Sequence, residues 1–195
     1  TTASSPSTTS RRATDLLLRL IATAAVLLGA AAVAPSPARA DCPLLSIGAC
    51  LQASFPSALS MGSPLAGSTA TSGEQAITVS SNASWGVRIS SDRADGRPAE
   101  FNGSAYVAPT RALSEPLRWS LSSIGTTSYA PDFKALSGTA ATVVSGRAAT
   151  SCVILLGCGS ETVRIRFAQT LRFSDRRAAP NTYRVNVTYL AQHGF

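Results

Sequence analysis

Four cysteines have the clearest chemistry in this chain, and they stand in two close pairs. Cys42 precedes Cys50 by eight positions, and Cys152 precedes Cys158 by six. An even number of cysteines in an oxidising compartment predicts two disulfides, for which four residues allow three connectivities. Proximity along the chain favours pairing Cys42 with Cys50 and Cys152 with Cys158. The alternative crosslinks the N-terminal segment to the loop around residue 150.

The sequence offers few residues that could form a catalytic or metal-binding site. His193, near the end of the sequence, is the only histidine, and no C-x-x-C knuckle accompanies the cysteines, so neither a zinc site nor a Ser-His-Asp triad is favoured. Asp92, Asp95 and Glu100 share one loop, but arginines interleave with them and their spacing matches no calcium-binding loop. We therefore predict no enzyme, no cofactor and no metal ion, with His193 an ordinary tail residue.

Outward-facing arginines form the candidate binding surface. Alternation predicts that one face of the segment 161–173 points outward and carries Arg164, Arg166 and Arg172. The outward face of the next segment, 182–190, carries Arg184. Guanidinium groups in a row can bind phosphate or carboxylate groups, so these four residues predict a contact with an anionic cell-envelope polymer. The alternative is a solvated outer face whose charges prevent edge-to-edge aggregation.

The elements that position these residues are predicted to be β-strands. Apolar and polar residues alternate with a period of two, which is typical of half-buried strands. The predicted strands lie near residues 50–55, 75–80, 84–91, 104–108, 116–123, 140–146, 161–173 and 182–190. The inward phase, expected to form the core, includes Trp85, Trp119, Phe167 and Tyr183. The last two strands are expected to form a hairpin around the polar segment 174–181.

This strand pattern predicts an all-β fold. About eight strands separated by turn-rich segments are expected of an antiparallel, immunoglobulin-like β-sandwich. A closed barrel is the alternative, because strand number and patterning do not separate the two.

The first forty residues have the pattern of an export signal. Arg11 and Arg12 precede an apolar run over 16–34, and Ala38-Arg39-Ala40 supplies small residues on either side of a cleavage site. A cleaved signal peptide, with its helix, is therefore predicted for residues 1–40, and an uncleaved membrane anchor is the competing interpretation. Export places the protein outside the cell or at the cell surface.

The remaining chain has the length of one domain. We predict a cysteine-containing N-terminal segment and loop over 41–74 and the sandwich core over 75–195. Residues 1–40 hold four Arg and one Asp, which leaves 13 Lys and Arg against nine Asp and Glu, a formal +4 compared with +7 for the whole chain. Such a mild, dispersed charge does not indicate a nucleic-acid partner.

Two short segments carry a family resemblance. Trp119-Ser120-Leu121 matches the pattern W-x-L, and the last predicted strand contains Tyr183-Arg-Val-Asn-Val-Thr-Tyr189. This resembles the WxL-type bacterial cell-surface domains, and the last segment is similar to the final strands of secreted pilin-like and spore-coat-U-like domains. The resemblance implies an immunoglobulin-like fold associated with the cell wall. Tyr189 stands where the second WxL motif is expected, so no binding residue is carried over.

Together these observations predict an exported, non-enzymatic β-sandwich with a structural or adhesive role at the cell surface or in the medium. The alternative is a secreted module that binds carbohydrate or an anionic polymer. The expected partners are an anionic cell-envelope polymer or other surface proteins, and contact with a membrane is expected only through an uncleaved signal.

Overall fold

Alternating apolar and polar residues form strands along the described chain. The computed structural model describes residues 49–62, 64–150, 152–153, 157–176 and 180–194. This part of the chain contains fourteen strands and no helix, which confirms the predicted all-β, antiparallel class. The strands are β1 (Leu51–Ser54), β2 (Thr69–Thr71), β3 (Gln75–Ser81), β4 (Trp85–Ser91), β5 (Ala99–Phe101), β6 (Arg118–Ile124), β7 (Thr127–Ser128), β8 (Lys134–Ala135), β9 (Ala141–Arg147), β10 (Cys152–Val153), β11 (Gly157–Cys158), β12 (Glu161–Thr170), β13 (Thr182–Arg184) and β14 (Val187–His193).

The longest strand, β12, is the centre of the larger of two main sheets. β3 and β2 pair with successive parts of one side of β12, and β6 pairs with its other side. β1 extends the sheet beyond β3, while β7 and β8 pair with β6. Val163, Ile165 and Phe167 of β12 are buried and alternate with half-buried Arg164 and Arg166. The period-two pattern read from the sequence is therefore present in this strand.

The second main sheet has the order β14-β4-β9. Trp85, Val87 and Ile89 of its central strand are buried. The chain passes from the larger sheet to this one between β3 and β4, at a bend over Asn82 and Ala83. Two short ribbons, β5 with β13 and β10 with β11, stand apart from the main sheets.

One hydrophobic core draws side chains from both main sheets. Trp85 from the second sheet and Trp119 and Phe167 from the larger sheet belong to it, each at most 2% exposed, so their predicted burial is confirmed. Tyr183 was expected to join them but is only half-buried. It lies on the β5–β13 ribbon, which is separate from the two main sheets, and it does not belong to the core cluster of the described residues.

Polar and aromatic contacts also join the two main sheets. The Arg147 side chain on β9 makes a bidentate ion pair with Glu161 on β12, including a bond from Nε to Oε2 of 3.1 Å. Phe55, just after β1, stacks on Tyr189 of β14 with ring centroids 5.6 Å apart. These contacts fix how the two sheets meet outside the aliphatic core.

One predicted strand is replaced by a turn. Residues 104–108 make only an isolated bridge between Tyr106 and Phe101, and the strand here is β5. The Asn102 carboxamide oxygen accepts bonds from the backbone N–H groups of Ser104 and Ala105, and Gly103 adopts a φ of +99°. Such side-chain bonds compete with strand pairing and favour a turn.

The predicted C-terminal hairpin is wrong. β12 pairs with β2, β3 and β6, whereas β14 pairs with β4 in the other sheet. The expected strand 182–190 is divided at Asn186, whose N–H donates to Asp92 Oδ1 over 3.0 Å and whose amide donates to Asp92 Oδ2 over 2.7 Å. β12 also ends at Thr170, so Phe173, expected to face inward, is exposed in the following turn.

The predicted signal peptide over 1–40 lies outside the described residues. Within the part of the chain that the structure describes, no helix is long and apolar enough to cross a membrane.

Candidate anion-binding cleft

An open, polar cleft of about 410 Å³ lies beside the β5–β13 ribbon. Three segments form it: the strand-like residues 111–114, the turn 173–176 after β12, and β13. Its functional side chains are Arg111, Ser114, Ser174, Asp175, Arg176 and Tyr183. The Ser114 hydroxyl and the Tyr183 phenol donate within the protein, and the two guanidinium groups are the charged donors that suit an anionic ligand.

Backbone pairing with β5 positions the Arg111 side of the cleft. The N–H of Glu100 donates to the Arg111 carbonyl over 2.8 Å, and the N–H of Leu113 donates to the Pro98 carbonyl over 2.9 Å. Leu113 is 3% exposed and anchors this segment. Arg111 therefore extends from an ordered backbone, with its own side chain 58% exposed.

Asp175 fixes the turn on the other side of the cleft. Its Oδ1 accepts bonds from the backbone N–H and the hydroxyl of Ser114, over 2.8 and 2.6 Å, and its Oδ2 accepts the N–H of Arg172 over 2.8 Å. Burial alone would raise the pKa of Asp175, but the bonds from Ser114 and Arg172 outweigh it, so the pKa lies below the ordinary value. The carboxylate is therefore ionised at neutral pH and occupied by donors of the protein itself.

Behind the cleft lies a buried acid. Glu100 is 6% exposed, accepts a 2.8 Å bond from the Asn181 amide, and lies 3.8 Å from the Nε atom of Arg111. Burial raises the pKa of Tyr183, and the charges of Glu100 and Asp175 raise it further. The Tyr183 hydroxyl is thus neutral and donates to the Arg176 carbonyl over 2.7 Å, which holds the backbone of that arginine.

The two arginines of the cleft remain available to a ligand. Arg176 is exposed and makes no ion pair with the carboxylates of the described residues. Among the carboxylates of the described residues, Arg111 has the long 3.8 Å contact with Glu100 as its ion pair. Both guanidinium groups line the same cleft, and such groups make charge-assisted bonds to phosphate, sulfate or carboxylate.

The four arginines predicted as the binding surface do not lie in one row. Arg164 and Arg166 on β12 both reach Glu74, at 3.7 and 2.9 Å. Arg172, beyond the end of β12, pairs with Glu115, including a 2.8 Å bond from Nε.

Arg184, the fourth member of the set, lies on β13 in a separate ribbon. Its guanidinium carbon is 4.8 Å from the Phe101 ring centroid, and its Nε donates to Asn186 over 3.0 Å. A single row of the four arginines required a hairpin between the segments 161–173 and 182–190. β12 and β13 belong to different sheets, so Arg184 does not continue the row of β12.

His193 is placed in β14 rather than in a tail. Its Nδ1 lies 3.5 Å from the Ser81 hydroxyl and 3.3 Å from the Ser84 carbonyl oxygen. Ser81 is fully buried, and its hydroxyl donates to the Ala83 carbonyl over 2.8 Å. The Ser–His contact therefore belongs to the turn between β3 and β4, and the hydroxyl is not accessible to a substrate.

The predicted cysteine pairs fall partly outside the described residues. Cys50 and Cys158 carry no free thiol. Cys42 and the side chain of Cys152 are not among the described groups, and no bonded pair lies wholly within them. The backbone register of β10 and β11 sets Cys152 opposite Cys158, and the connectivity itself stays a prediction.

Sequence reasoning missed Arg111 and Arg176 because both lie in loops. Segment 174–181 was recognised as a polar turn with two arginines, which was the available signal for Arg176. Nothing in the sequence indicates that Arg111, some sixty positions earlier, faces the same cleft, since that follows from the pairing of its segment with β5.

Comparison of the chain with models of protein families, with curated proteins and with solved structures finds no match.

Proposed function

We propose that this chain is an exported, non-enzymatic protein of the cell surface or extracellular medium, built on an immunoglobulin-like β-sandwich. The support for the sandwich is that two antiparallel sheets share one hydrophobic core. The support for export is the sequence of residues 1–40. A structural or adhesive role needs only such a stable scaffold and a surface that recognises the cell envelope.

The function the geometry favours is binding of an anionic cell-envelope polymer, and the observation that carries it is the arginine cleft. Arg111 and Arg176 line one open cleft, in which Asp175 is already occupied by protein donors. The buried Glu100 lies 3.8 Å from Arg111 and also accepts a bond from Asn181. The cleft is shallow and open, which suits one charged group of a long polymer better than an enclosed small molecule.

A binding experiment tests the cleft against the strand arginines. Wild-type protein should bind labelled polyphosphate or poly-glutamate, and the affinity should fall as salt rises, since charges are screened within about 10 Å at 0.1 M ionic strength. The double variant Arg111→Gln, Arg176→Gln should bind about tenfold or more weakly, because each charge-assisted bond contributes about 1.5–3 kcal/mol. Neutral dextran should not bind.

The matched control replaces the originally predicted set, Arg164, Arg166, Arg172 and Arg184, with Gln. Their contacts with Glu74, Glu115 and Asn186 predict a smaller loss of polymer binding than the cleft variant shows. The opposite ranking would transfer the binding role to that set. Salt-insensitive binding, or no binding by the wild type, would remove the polymer proposal. A fractionation blot for the tagged protein tests export separately.

A further inference from the structure

The two most exposed large apolar side chains of the described residues lie on one tip of the fold. Phe173 is 86% exposed and Leu65 is 80% exposed, and the next, Leu190 on β14, is 49% exposed. Phe173 follows β12, and Leu65 lies in the turn before β2. Single exposed apolar residues are ordinary on protein surfaces, but two nearly complete exposures at one tip are a local feature that needs a partner.

Hydrogen bonds order this tip. The N–H of Gly67 donates to the Leu171 carbonyl over 2.8 Å, and the N–H of Leu171 donates to the Ser68 carbonyl over 3.0 Å, so the two turns are joined. The Ser68 hydroxyl and N–H both donate to the Leu65 carbonyl. Gly67 has a φ of +82°, and a Cβ there would lie 2.7 Å from the Phe173 ring. The glycine thus makes room for a ring held on the outside of the molecule.

Two arginines flank the apolar tip, and one of them makes no ion pair with the carboxylates of the described residues. Arg172 precedes Phe173 and is paired with Glu115, and the nearby Asp175 carboxylate is held by the protein's own donors. Arg176 follows Phe173 in the same turn, is exposed, and lines the cleft with Arg111. An apolar point flanked by arginines matches a bilayer interface, where rings enter the headgroup region and guanidinium groups contact anionic lipids. A second copy of the chain fits less well, because two side chains offer a few hundred Å² and a stable dimer interface buries about 1,200 Å² or more.

We propose that this tip, Leu65 with Phe173, inserts into the headgroup region of an anionic lipid bilayer, with Arg176 beside it contacting lipid phosphates. The inference goes beyond the proposed polymer binding, because polymer contact requires only the cleft and lipid contact requires the apolar tip. It also adds a membrane contact that the sequence analysis confined to the signal segment.

Vesicle co-sedimentation tests the proposal with the protein lacking residues 1–40, as the predicted cleavage would leave it. Wild-type protein should sediment with phosphatidylglycerol–phosphatidylcholine vesicles and much less with phosphatidylcholine alone. The double variant Leu65→Ser, Phe173→Ser should bind the anionic vesicles at least about tenfold more weakly, since apolar burial contributes on that scale for each side chain. Leu190→Ser, an exposed leucine on another strand, should bind as the wild type does.

Three results would overturn the proposal: no binding of the wild type to anionic vesicles, unchanged binding by the tip variant, or equal losses in the tip and Leu190 variants. A tip variant that changes the sedimentation mass of the free protein would instead identify a contact between copies and would also overturn it. The tip variant should retain polyphosphate binding, so failure of the lipid inference leaves the cleft proposal intact. Circular dichroism on each variant confirms the fold.

Discussion

At the scale of single residues, both tryptophans are core residues because each lies on the inward face of its strand. Trp85 and Trp119 each occupy an inward position of a strand, and each is at most 2% exposed. Neither indole N–H has a hydrogen-bond partner within the described residues. Their contribution is therefore mainly apolar packing, to which Lys134 Nζ adds a cation–π contact 5.9 Å from the Trp119 ring centroid.

Trp119→Ala is expected to lower the free energy of unfolding by about 3–5 kcal/mol, because it leaves a large cavity between the two sheets. Trp119→Phe should cost much less, since the lost N–H was unpartnered. Urea denaturation of both variants measures the difference, and native fluorescence should be blue-shifted. A water-like emission maximum from both tryptophans, or an alanine variant as stable as the wild type, would contradict the placement.

Inward residues of long strands could be predicted from the sequence, and residues beyond strand ends could not. Phe167 lies within β12 and is buried as its phase requires, whereas Phe173 continues the same phase and is exposed. Alternation has meaning only where the backbone stays extended, and Asp175 folds the chain into a turn by accepting the N–H of Arg172. The arginines of the cleft were missed because loops carry no periodic signal.

At the scale of elements, the segment after β12 determines which strands meet. Its polar composition correctly predicted a turn, but a hairpin was wrong because β13 pairs with β5 and Asp92 accepts two bonds from Asn186. Pairing partners depend on contacts between distant residues, such as those between Asp92 and Asn186. Strand positions could thus be predicted from local periodicity, while sheet order could not.

The turn 172–175 should show a pH-dependent contribution to stability through Asp175. The pKa of Asp175 is lower in the folded protein than the value of 3.8 for the unfolded chain. The ionised carboxylate therefore stabilises the fold fully at pH values above 3.8. This stabilisation is lost as the pH falls through the lowered pKa of the folded state. Asp175→Asn should cost about 1–3 kcal/mol at neutral pH, and the difference from wild type should shrink in acid.

Urea denaturation at several pH values measures the Asp175 effect. Asp132→Asn is the matched control, because Asp132 is exposed and its ion pair within the described part of the chain is the 3.6 Å contact with Lys134. If the free energy of unfolding of the wild type differs from that of Asp175→Asn by the same amount from neutral pH down to about pH 2, the carboxylate charge does not hold the turn.

At the scale of the whole molecule, two distant segments meet at the turn between the two main sheets. The N–H of Cys50 donates to the Asn82 side chain and the N–H of Thr150 donates to the Ser81 carbonyl, each over 2.7 Å. Cys50 and Thr150, two residues before Cys152, therefore adjoin one turn, although a hundred positions separate them along the chain. This proximity keeps the crossed connectivity geometrically open beside the local one.

The backbone register favours local pairing. Opposed residues of an antiparallel pair have Cα atoms about 4.5–5.5 Å apart, within the range that a disulfide spans, and Cys152 is opposed to Cys158. We therefore expect both pairs to be oxidised in the exported protein, with Cys42 bonded to Cys50. Reduction should lower the melting temperature by several degrees without abolishing the fold, since each disulfide contributes about 2–4 kcal/mol or less for short loops.

Tryptic mapping without reduction separates the connectivities sharply. No Lys or Arg lies between residues 40 and 87 or between 148 and 163, so each local pair falls within a single peptide. Local pairing should give two separate peptides, each lighter by two hydrogens than after reduction. Crossed pairing would instead give one linked species that separates only on reduction. Four alkylatable thiols in the native exported protein would contradict oxidation altogether, and with it the compartment that the first forty residues predict.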